Sequence, residues 1–401
     1  MLRVLTLASL FPDAARPTFG LFVERQTIGL AALDGVAVEV VAPIGLPPGP
    51  LARHPRYAAL AGLPAREEWK GLTVHRPRFP LIPGIGGRCN PALMAWALKP
   101  LLRAIRRRFA FDVIDAEFFF PDGPAALRLS RALGVPFSIK ARGSDIHHWA
   151  DRPGCRRQIR AAGAGAGGLL AVSAALKRDM AALGLPDERI AVHHTGVDQD
   201  RFRPAPDRAA AKAALGIAGP LLVSVGTLSV RKGHDLAIAA MAELPGVTLL
   251  IAGQGPDRAL LQRQIAALGL GDRVRLLGPQ PHEALPALLA AEDVGVLASI
   301  SEGLANVWVE TLASGAPLVI SDVGGAREVV DRAAAGRIVA RDPQAIAAAV
   351  RELLAAPPPP HAVRAAAARF TWARNAEALK AHLERVASSR RGAAGPARSI
   401  A

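Results

Sequence analysis

Glu302 and Glu310 are separated by seven residues in the stretch SISEGLANVWVETLASGAPLVISDVGG, which is otherwise small and largely apolar. A carboxylate taken out of water costs several kcal/mol unless something pairs with it. Two readings fit. Both acids can be solvated ends of an ordinary helix, or they can face a cleft and hold the hydroxyls of a sugar. Two cations lie upstream, Arg231 and Lys232, in SVGTLSVRKGHD. A strand there ends at Val225-Gly226 and a helix begins near His234-Asp235, so both cations fall in the connecting loop. Open α/β sheets bind ligands at the carboxyl ends of their strands. Two cations at such a place suit a diphosphate, Arg as a planar fork and Lys as a point charge. The plain alternative is a solvated basic turn. The acidic segment repeats the geometry: DVGVLAS reads as a strand, Ser301-Glu302-Gly303 as a turn, and a helix starts around Ala305-Asn306. Its free N–H groups and positive dipole end attract phosphate. Glu310 then lies about one turn inside the helix and Glu302 before it. A fully helical span would separate them by about 12 Å, and the turn at Glu302 changes that. Taken alone, the spacing is weak evidence.

The elements that must position these residues alternate along the chain. RVLTLAS, VAVEVVAP, DVIDAE and PFSIKA read as strands in the first half; PLLVSVGT, VTLLIAG, VRLLG, DVGVLAS and PLVISD read as strands in the second. Near-continuous apolar runs of this kind belong to parallel strands covered on both faces. The Ala/Leu-rich segments between them, such as 92–109 and 257–269, are long enough for right-handed crossovers. The fold class expected is α/β, with two doubly wound Rossmann-like domains. The expected domains are 1–200 and 201–370, a helix at 371–387 and a disordered tail at 388–401. The boundary is drawn at the polar, Pro-containing stretch Asp198 to Pro206, and AAPPPPHA at 355–362 marks a second break.

Composition narrows the function. The chain has 401 residues, too many for one core. Its 49 Lys and Arg against 34 Asp and Glu give +15. A basic protein suits nucleic acid, membrane phosphate or a phosphorylated small molecule. Nucleic acid is the weakest of these, because aromatics are 4% and no zinc-finger or RNA-recognition pattern occurs. Cys89 and Cys155 form no CxxC pair, so neither a disulfide scaffold nor a zinc site is indicated. No Asp-x-Asp motif stands at a convincing strand end, and no metal is expected. The apolar opening stops at Phe11-Pro12-Asp13, short for a signal peptide, and no run reaches about 18–20 uninterrupted apolar residues. A cytoplasmic location is expected.

The order of the segments carries more than any one of them. SVGTLSVRKGHD, IAGQGPDRALL, VRLLGPQPHEALPALLAAEDVGVLAS and SEGLANVWVETLASGAPLVISDVGG, in that order, resemble the carboxyl-terminal domain of family 4 glycosyltransferases with the GT-B fold. SLFPDAARPTFGLFVERQ, IDAEFFFPDGPAALRLSRALGVPFSIKARGSDI and HHTGVDQDRFRP resemble its amino-terminal motifs. The resemblance covers about residues 1–387. It implies two domains facing a cleft, the C-terminal helix returning to the N-terminal domain, and a nucleotide-sugar-dependent transferase that retains anomeric configuration. No cofactor is required, and the donor is UDP- or GDP-linked. By the same resemblance Arg231 and Lys232 hold the donor diphosphate, Glu302 contacts the transferred sugar and Glu310 the ribose. Gly226, Thr227, Gly303, Leu304, Ala305 and Asn306 line the donor, and the backbone around Gly278, Pro279 and Gln280 lies against the base. Gly20, after the first strand, lets donor and acceptor approach, and Arg142 and Asp145 join the catalytic group.

Three positions depart from that family's pattern. Many relatives have Arg at the position of Thr227, so one phosphate cation is missing here, with Arg231 placed to compensate. Many have His at the position of Arg142, and an upstream His where this chain has Glu117. Roles that depend on those histidines do not carry over. His147, His148, His193 and His194 read as structural or solvated.

The acceptor side is expected in the first half. The segment NPALMAWALKPLLRAIRRRF carries Leu93, Met94, Trp96, Leu101, Leu102, Ile105 and Phe109 beside Lys99, Arg103, Arg106, Arg107 and Arg108. Such a basic amphipathic helix can lie on an anionic bilayer at the inner face of the cell membrane. It can equally be a core helix whose last cations favour its own dipole. The expected partners are therefore a nucleotide-sugar donor, a glycan or lipid-linked acceptor of the kind used in exopolysaccharide or lipopolysaccharide synthesis, and an anionic membrane surface, with no nucleic acid. The rival readings are a nucleotide-sugar epimerase or hydrolase of the same architecture and a non-catalytic sugar-binding protein. A nicotinamide dehydrogenase is disfavoured, since no G-x-G-x-x-G follows the first strand.

Overall fold

The apolar runs become the strands of two parallel sheets in a computed structural model that describes residues 1–82 and 86–389. The chain divides into two units. The first holds Met1–His194 and the chain from Trp372 onward, and the second holds Thr195–Thr371.

In the first unit the strands are β1 (Leu2–Leu7), β2 (Val36–Val41), β3 (Ile44–Leu46), β4 (Arg66–Trp69), β5 (Leu72–His75), β6 (Arg78–Pro80), β7 (Val113–Ala116), β8 (Phe137–Ala141), β9 (Gly168–Ala171) and β10 (Ile190–Val192). Eight of them form one sheet in the order β10-β9-β8-β7-β1-β2-β5-β4, while β3 and β6 pair separately. Only the β4–β5 pair is antiparallel. The order reverses beside β1, so the carboxyl ends of β1, β7 and β8 open on one edge, where such sheets bind ligands.

The second unit has β11 (Leu221–Val225), β12 (Thr248–Ala252), β13 (Val274–Gly278), β14 (Val294–Leu297), β15 (Leu318–Ser321) and β16 (Gly336–Val339). All are parallel, in the order β13-β12-β11-β14-β15-β16. This is a doubly wound order with its switch point between β11 and β14. Leu222, Leu249, Ile251, Val294, Val296 and Val319 face one continuous core there.

The C-terminal helix Trp372–Ser388 belongs to the first unit, where Leu379, Leu383 and Val386 share a core with Leu2, Val4, Leu30, Val113 and Leu170. The segment Asp198 to Pro206, read from sequence as the linker, lies inside the second unit instead. Phe202 is fully buried, and Arg364 donates to the carbonyls of Phe202 and Gln199. One apolar anchor and one arginine fork thus dock a stretch that looks loop-like in composition. Of the expected tail at 388–401, residues 390–401 lie outside the described residues, and Ser388 ends the helix.

The basic segment forms the helix Asn90–Arg108, with Pro100 on its exposed side. Met94, Leu98, Leu102 and Ile105 are buried, so its apolar stripe is already covered by its own domain. Arg108 forks onto Glu39 at 2.5 and 2.7 Å, and Arg106 donates to the Leu133 carbonyl. This is the core-helix reading of the segment. Trp96, by contrast, is 71% exposed.

Candidate active site

In the second unit the expected donor residues gather on the loops that leave β11, β13 and β14. Gly226 and Thr227 follow β11, and Arg231 and Lys232 form a 3-10 turn just beyond, capped by Gly233. Gly233 has φ of 69°, and a Cβ there would stand 2.2 Å from the Ala298 carbonyl oxygen, so only glycine lets the turn approach the end of β14. The turn is tied to that loop directly, since the N–H of Ile300 donates to the Arg231 carbonyl at 2.8 Å. Arg231 and Thr227 are exposed, and Lys232 is half-buried.

Lys232 points at Glu302. Its Nζ lies 2.5 Å from Glu302 Oε1, and the Ser299 hydroxyl donates to the same oxygen at 2.7 Å. Gly303, Leu304 and Ala305 are buried in the turn that follows, and the Gly325 N–H donates to the Gly303 carbonyl at 2.8 Å. The helix Asn306–Ala313 then begins at Ala305 with no side-chain cap. Its first N–H groups and positive end are therefore left for an anion.

Glu310 lies in that helix, 8% exposed, and His282 Nε2 sits 3.1 Å from its Oε1. His282 packs edge-on to Phe202, ring centres 5.6 Å apart. It lies in the loop that leaves β13 at Gly278, where Gln280 donates to the Leu277 carbonyl at 3.1 Å. Neither acid is thus a solvated helix end, for each is largely covered and faces a cationic or potentially cationic partner. His282 was missed in the sequence. Its only signal is its place in the loop beyond β13, because it lies 28 positions before Glu310 and no period links the two. His234 opens the helix that follows the Arg231–Lys232 turn, with Ser224 Oγ at 3.0 Å from Nδ1. Burial takes its pKa down to about 4, which keeps it neutral.

In the first unit, Glu117 and Arg142 meet at the carboxyl ends of β7 and β8, and Gly20 lies against the loop after β1. Gly20 caps the helix Leu21–Ala31 with φ of 77°, and a Cβ on it would lie 2.6 Å from the Leu10 carbonyl. Glycine here lets the helix start close against the loop after β1. The next residue but one, Phe22, has the Arg142 guanidinium 4.5 Å above its ring. Arg142 also bonds the Glu117 carboxylate through its NH2 and the Glu117 carbonyl through Nε at 3.0 Å.

Behind this pair runs a buried hydrogen-bond chain. Gln26 donates to Glu117, and Lys140 donates to the Gln26 oxygen and, at 2.6 Å, to His193 Nδ1. His193 must then carry its proton on Nε2, which lies 2.8 Å from the Asn375 carbonyl. Burial alone would raise Glu117, but Arg142 and then Lys140 outweigh it and hold the carboxyl below its usual range. Burial, then Glu117, push Asp115 well up. Burial draws Lys140 down to about 7, with Arg142 acting the same way.

Asp145, expected in the catalytic group, has another job. It is fully buried and accepts the N–H groups of Phe119, Arg142, Gly143 and Ile146 at 2.7 to 3.2 Å. Its oxygens fold the loop that carries Arg142 and are not turned to a ligand. His147 pairs with Asp179 at 3.0 Å, and His148 lies 3.3 Å from Arg152. Among the described residues, no group of three or more His, Cys, Asp or Glu side chains is placed to hold a metal ion.

Two family patterns match successive parts of the chain. The glycosyltransferase family 4 pattern matches residues 22–201, and the pattern of glycosyl transferases group 1 matches residues 207–370. The chain belongs to family 4 of the glycosyltransferases. D-inositol 3-phosphate glycosyltransferase of Mycolicibacterium paratuberculosis is 38% identical over 210 residues, 49% of this chain. That stretch spans 47% of the relative, about half its length. The putative teichuronic acid biosynthesis glycosyltransferase TuaC of Bacillus subtilis is 27% identical over 364 residues, 87% of this chain and 88% of that one. The structure of HepE from Anabaena in complex with UDP and glucose shares the fold, with a TM-score of 0.73 at 21% identity over 96% of this chain and 100% of the other. The glycosyltransferase thus has the GT-B architecture of two Rossmann-like units. No helix among its described residues is long and apolar enough to cross a membrane.

Proposed function

We propose that this glycosyltransferase moves a sugar from a nucleotide-sugar donor to a glycan or lipid-linked glycan acceptor, with retention at the anomeric carbon. The observation that carries the reading is the meeting of Lys232, Glu302 and the uncapped start of the Asn306–Ala313 helix at one edge of the second sheet. A leaving diphosphate needs positive charge where its own charge grows. Lys232, Arg231 and the helix start supply it. Glu302 reaches the hydroxyls of the transferred sugar, and Glu310, steadied by His282, takes the ribose. The loop at Gly278 and Gln280 lies against the base. Arg142 and Gly20 belong to the acceptor side of the first unit. Departure and attack on the same face, with the leaving phosphate as base, fits a site in which no side-chain nucleophile has been identified.

UDP is the first nucleotide to test, because the HepE structure contains it. The acceptor reading follows TuaC, whose name places it in the synthesis of a surface polymer, teichuronic acid. The deciding experiment is calorimetric binding across UDP-, GDP- and ADP-sugars, followed by product analysis with the donor that binds. A new glycosidic bond with the donor's anomeric configuration supports the proposal. Free sugar alone, an epimerised donor, or no donor binding would overturn it.

A further inference from the structure

The charge of the chain is not shared between its units. The first unit holds 32 of the 49 Lys and Arg and 17 of the 34 Asp and Glu, leaving 17 and 17 in the second. The whole excess of +15 thus belongs to the first unit, and the donor-binding unit is neutral.

Much of that excess is gathered on three helices lying side by side, Asn90–Arg108, Asp122–Leu133 and Pro153–Gly165, with the middle one packed against both others. Together they carry ten basic residues and a single acid, Asp122, which is fully buried. Arg103, Arg107, Arg128, Arg131, Arg157 and Arg160 are all exposed, and none has an ion-pair partner among the described residues. The longest helix runs about 28 Å, and packed helices lie about 10 Å apart. The result is a broad face of arginines with no exposed acid among them. Self-repulsion at this density works against the fold. The face therefore suits an extended array of negative charge better than a single small anion.

We propose that this arginine face lies on a bilayer bearing anionic lipid headgroups. Trp96 is the only aromatic residue on the three helices, and its spacing puts it on the same stripe as Lys99, Arg103 and Arg107. An exposed Trp beside cations is the arrangement of a headgroup-level anchor, whereas a nucleic-acid surface would present several rings for stacking. The mode of contact differs from the one the sequence of the first helix invites. Met94, Leu98, Leu102 and Ile105 are buried in the unit's own core, as are Leu127, Leu129 and Ile159 on the other helices. No apolar stripe remains to insert, so the contact is electrostatic and steeply salt-dependent. Such a surface would hold the enzyme beside a lipid-linked acceptor, but it stands independently of the donor site.

The test is sedimentation of the full chain with vesicles of phosphatidylglycerol and phosphatidylcholine, or of phosphatidylcholine alone, at low and physiological salt. Wild type should sediment with the mixed vesicles at low salt and not with phosphatidylcholine. Arg128, Arg131, Arg157 and Arg160 replaced together by Gln should weaken that binding at least about tenfold. The same four positions replaced by Lys should keep it. Nucleoside diphosphate affinity, measured in parallel, should be the same in all three proteins and reports folding. Wild type that ignores the mixed vesicles, a Gln variant that binds like wild type, or a Lys variant that loses binding would each overturn the proposal. So would tighter binding of a single-stranded oligonucleotide than of the vesicles. Failure of wild type to bind any nucleotide would count against the proposed reaction, and leave the vesicle result to stand on its own.

Discussion

Lys232 and Glu302 hold each other at 2.5 Å. The pair joins the residue that would neutralise the diphosphate to the residue that would read the sugar. Both cannot serve a donor without loosening this bond. Glu302→Gln should therefore free Lys232, and a nucleoside diphosphate without its sugar should bind about two- to tenfold more tightly. Lys232→Ala should weaken the same ligand by about 1.5–3 kcal/mol, the usual loss for a charged hydrogen bond. The gain from Glu302→Gln should vanish in the Lys232→Ala background, as a double-mutant cycle by calorimetry would show. A gain that survives there would mean simple repulsion between Glu302 and phosphate. In turnover the same Glu302→Gln change should be harmful, since its contact with the sugar strengthens as the bond breaks.

Glu310 and His282 make a separable prediction. If the carboxylate takes the ribose, Glu310→Gln should weaken nucleoside diphosphates and shrink the preference for ribose over 2′-deoxyribose. His282→Ala should reproduce part of that loss, and the double mutant should lose little more than Glu310→Gln. Equal ribose discrimination in all three variants and wild type would place the ribose elsewhere.

In the first unit, Glu117 lies between Arg142 and the Gln26–Lys140 pair. Glu117→Ala leaves a buried guanidinium unpaired and an ammonium without its nearest countercharge, a change that typically costs about 3–5 kcal/mol. Denaturant unfolding should show that loss. Arg142→Ala should act differently, lowering turnover while nucleoside diphosphate binding in the second unit stays constant. Weakened nucleotide binding in Arg142→Ala would move Arg142 from the acceptor side to the donor.

Asp122 gives a pH signature. It is fully buried, it accepts the Ser9 N–H at 2.9 Å, and burial raises its pKa to about 7. The folded state therefore holds a proton that the unfolded chain releases near pH 4. Its contribution to stability is complete below that point and is lost as pH rises from about 4 through about 7. The span sets an upper bound of about 4 kcal/mol. Asp122→Asn should gain stability relative to wild type as pH goes from 5 to 8. A constant difference across that range, by thermal or urea unfolding, would show that Asp122 does not titrate there.

The sequence carried the long parallel strands well, because β11, β12 and β15 have one polar residue each and β1 and β8 only two. It did not carry β4, β5 and β10. β4 is three charged residues and a Trp, β5 is a short alternating run paired antiparallel with it at the sheet edge, and β10 has only three residues. At the proposed donor site, Arg231, Lys232 and Glu302 stand out in the sequence because each sits beside a strand end or a helix start, and Glu310 because it is the one acid in an apolar helix. Their pairing was not, since Lys232 and Glu302 lie 70 residues apart and no local period links them. Asp145 was read as a reactive acid because its backbone partners are invisible in a string of residue types. Trp96 and the buried face of its helix look alike in sequence, and only packing tells them apart.

The helix Trp372–Ser388 sets an order on the synthesis of the first unit. Leu2, Val4 and Leu30 are covered by Leu379, Leu383 and Val386. The ribosome makes the first group before the second, with the whole second unit in between. At about 5–20 residues per second, the first sheet waits on the order of ten seconds or more with one side uncovered. The second unit is continuous and can close as soon as it emerges. The first must stay partly open until the helix Trp372–Ser388 has emerged, and that interval is when a chaperone would find it.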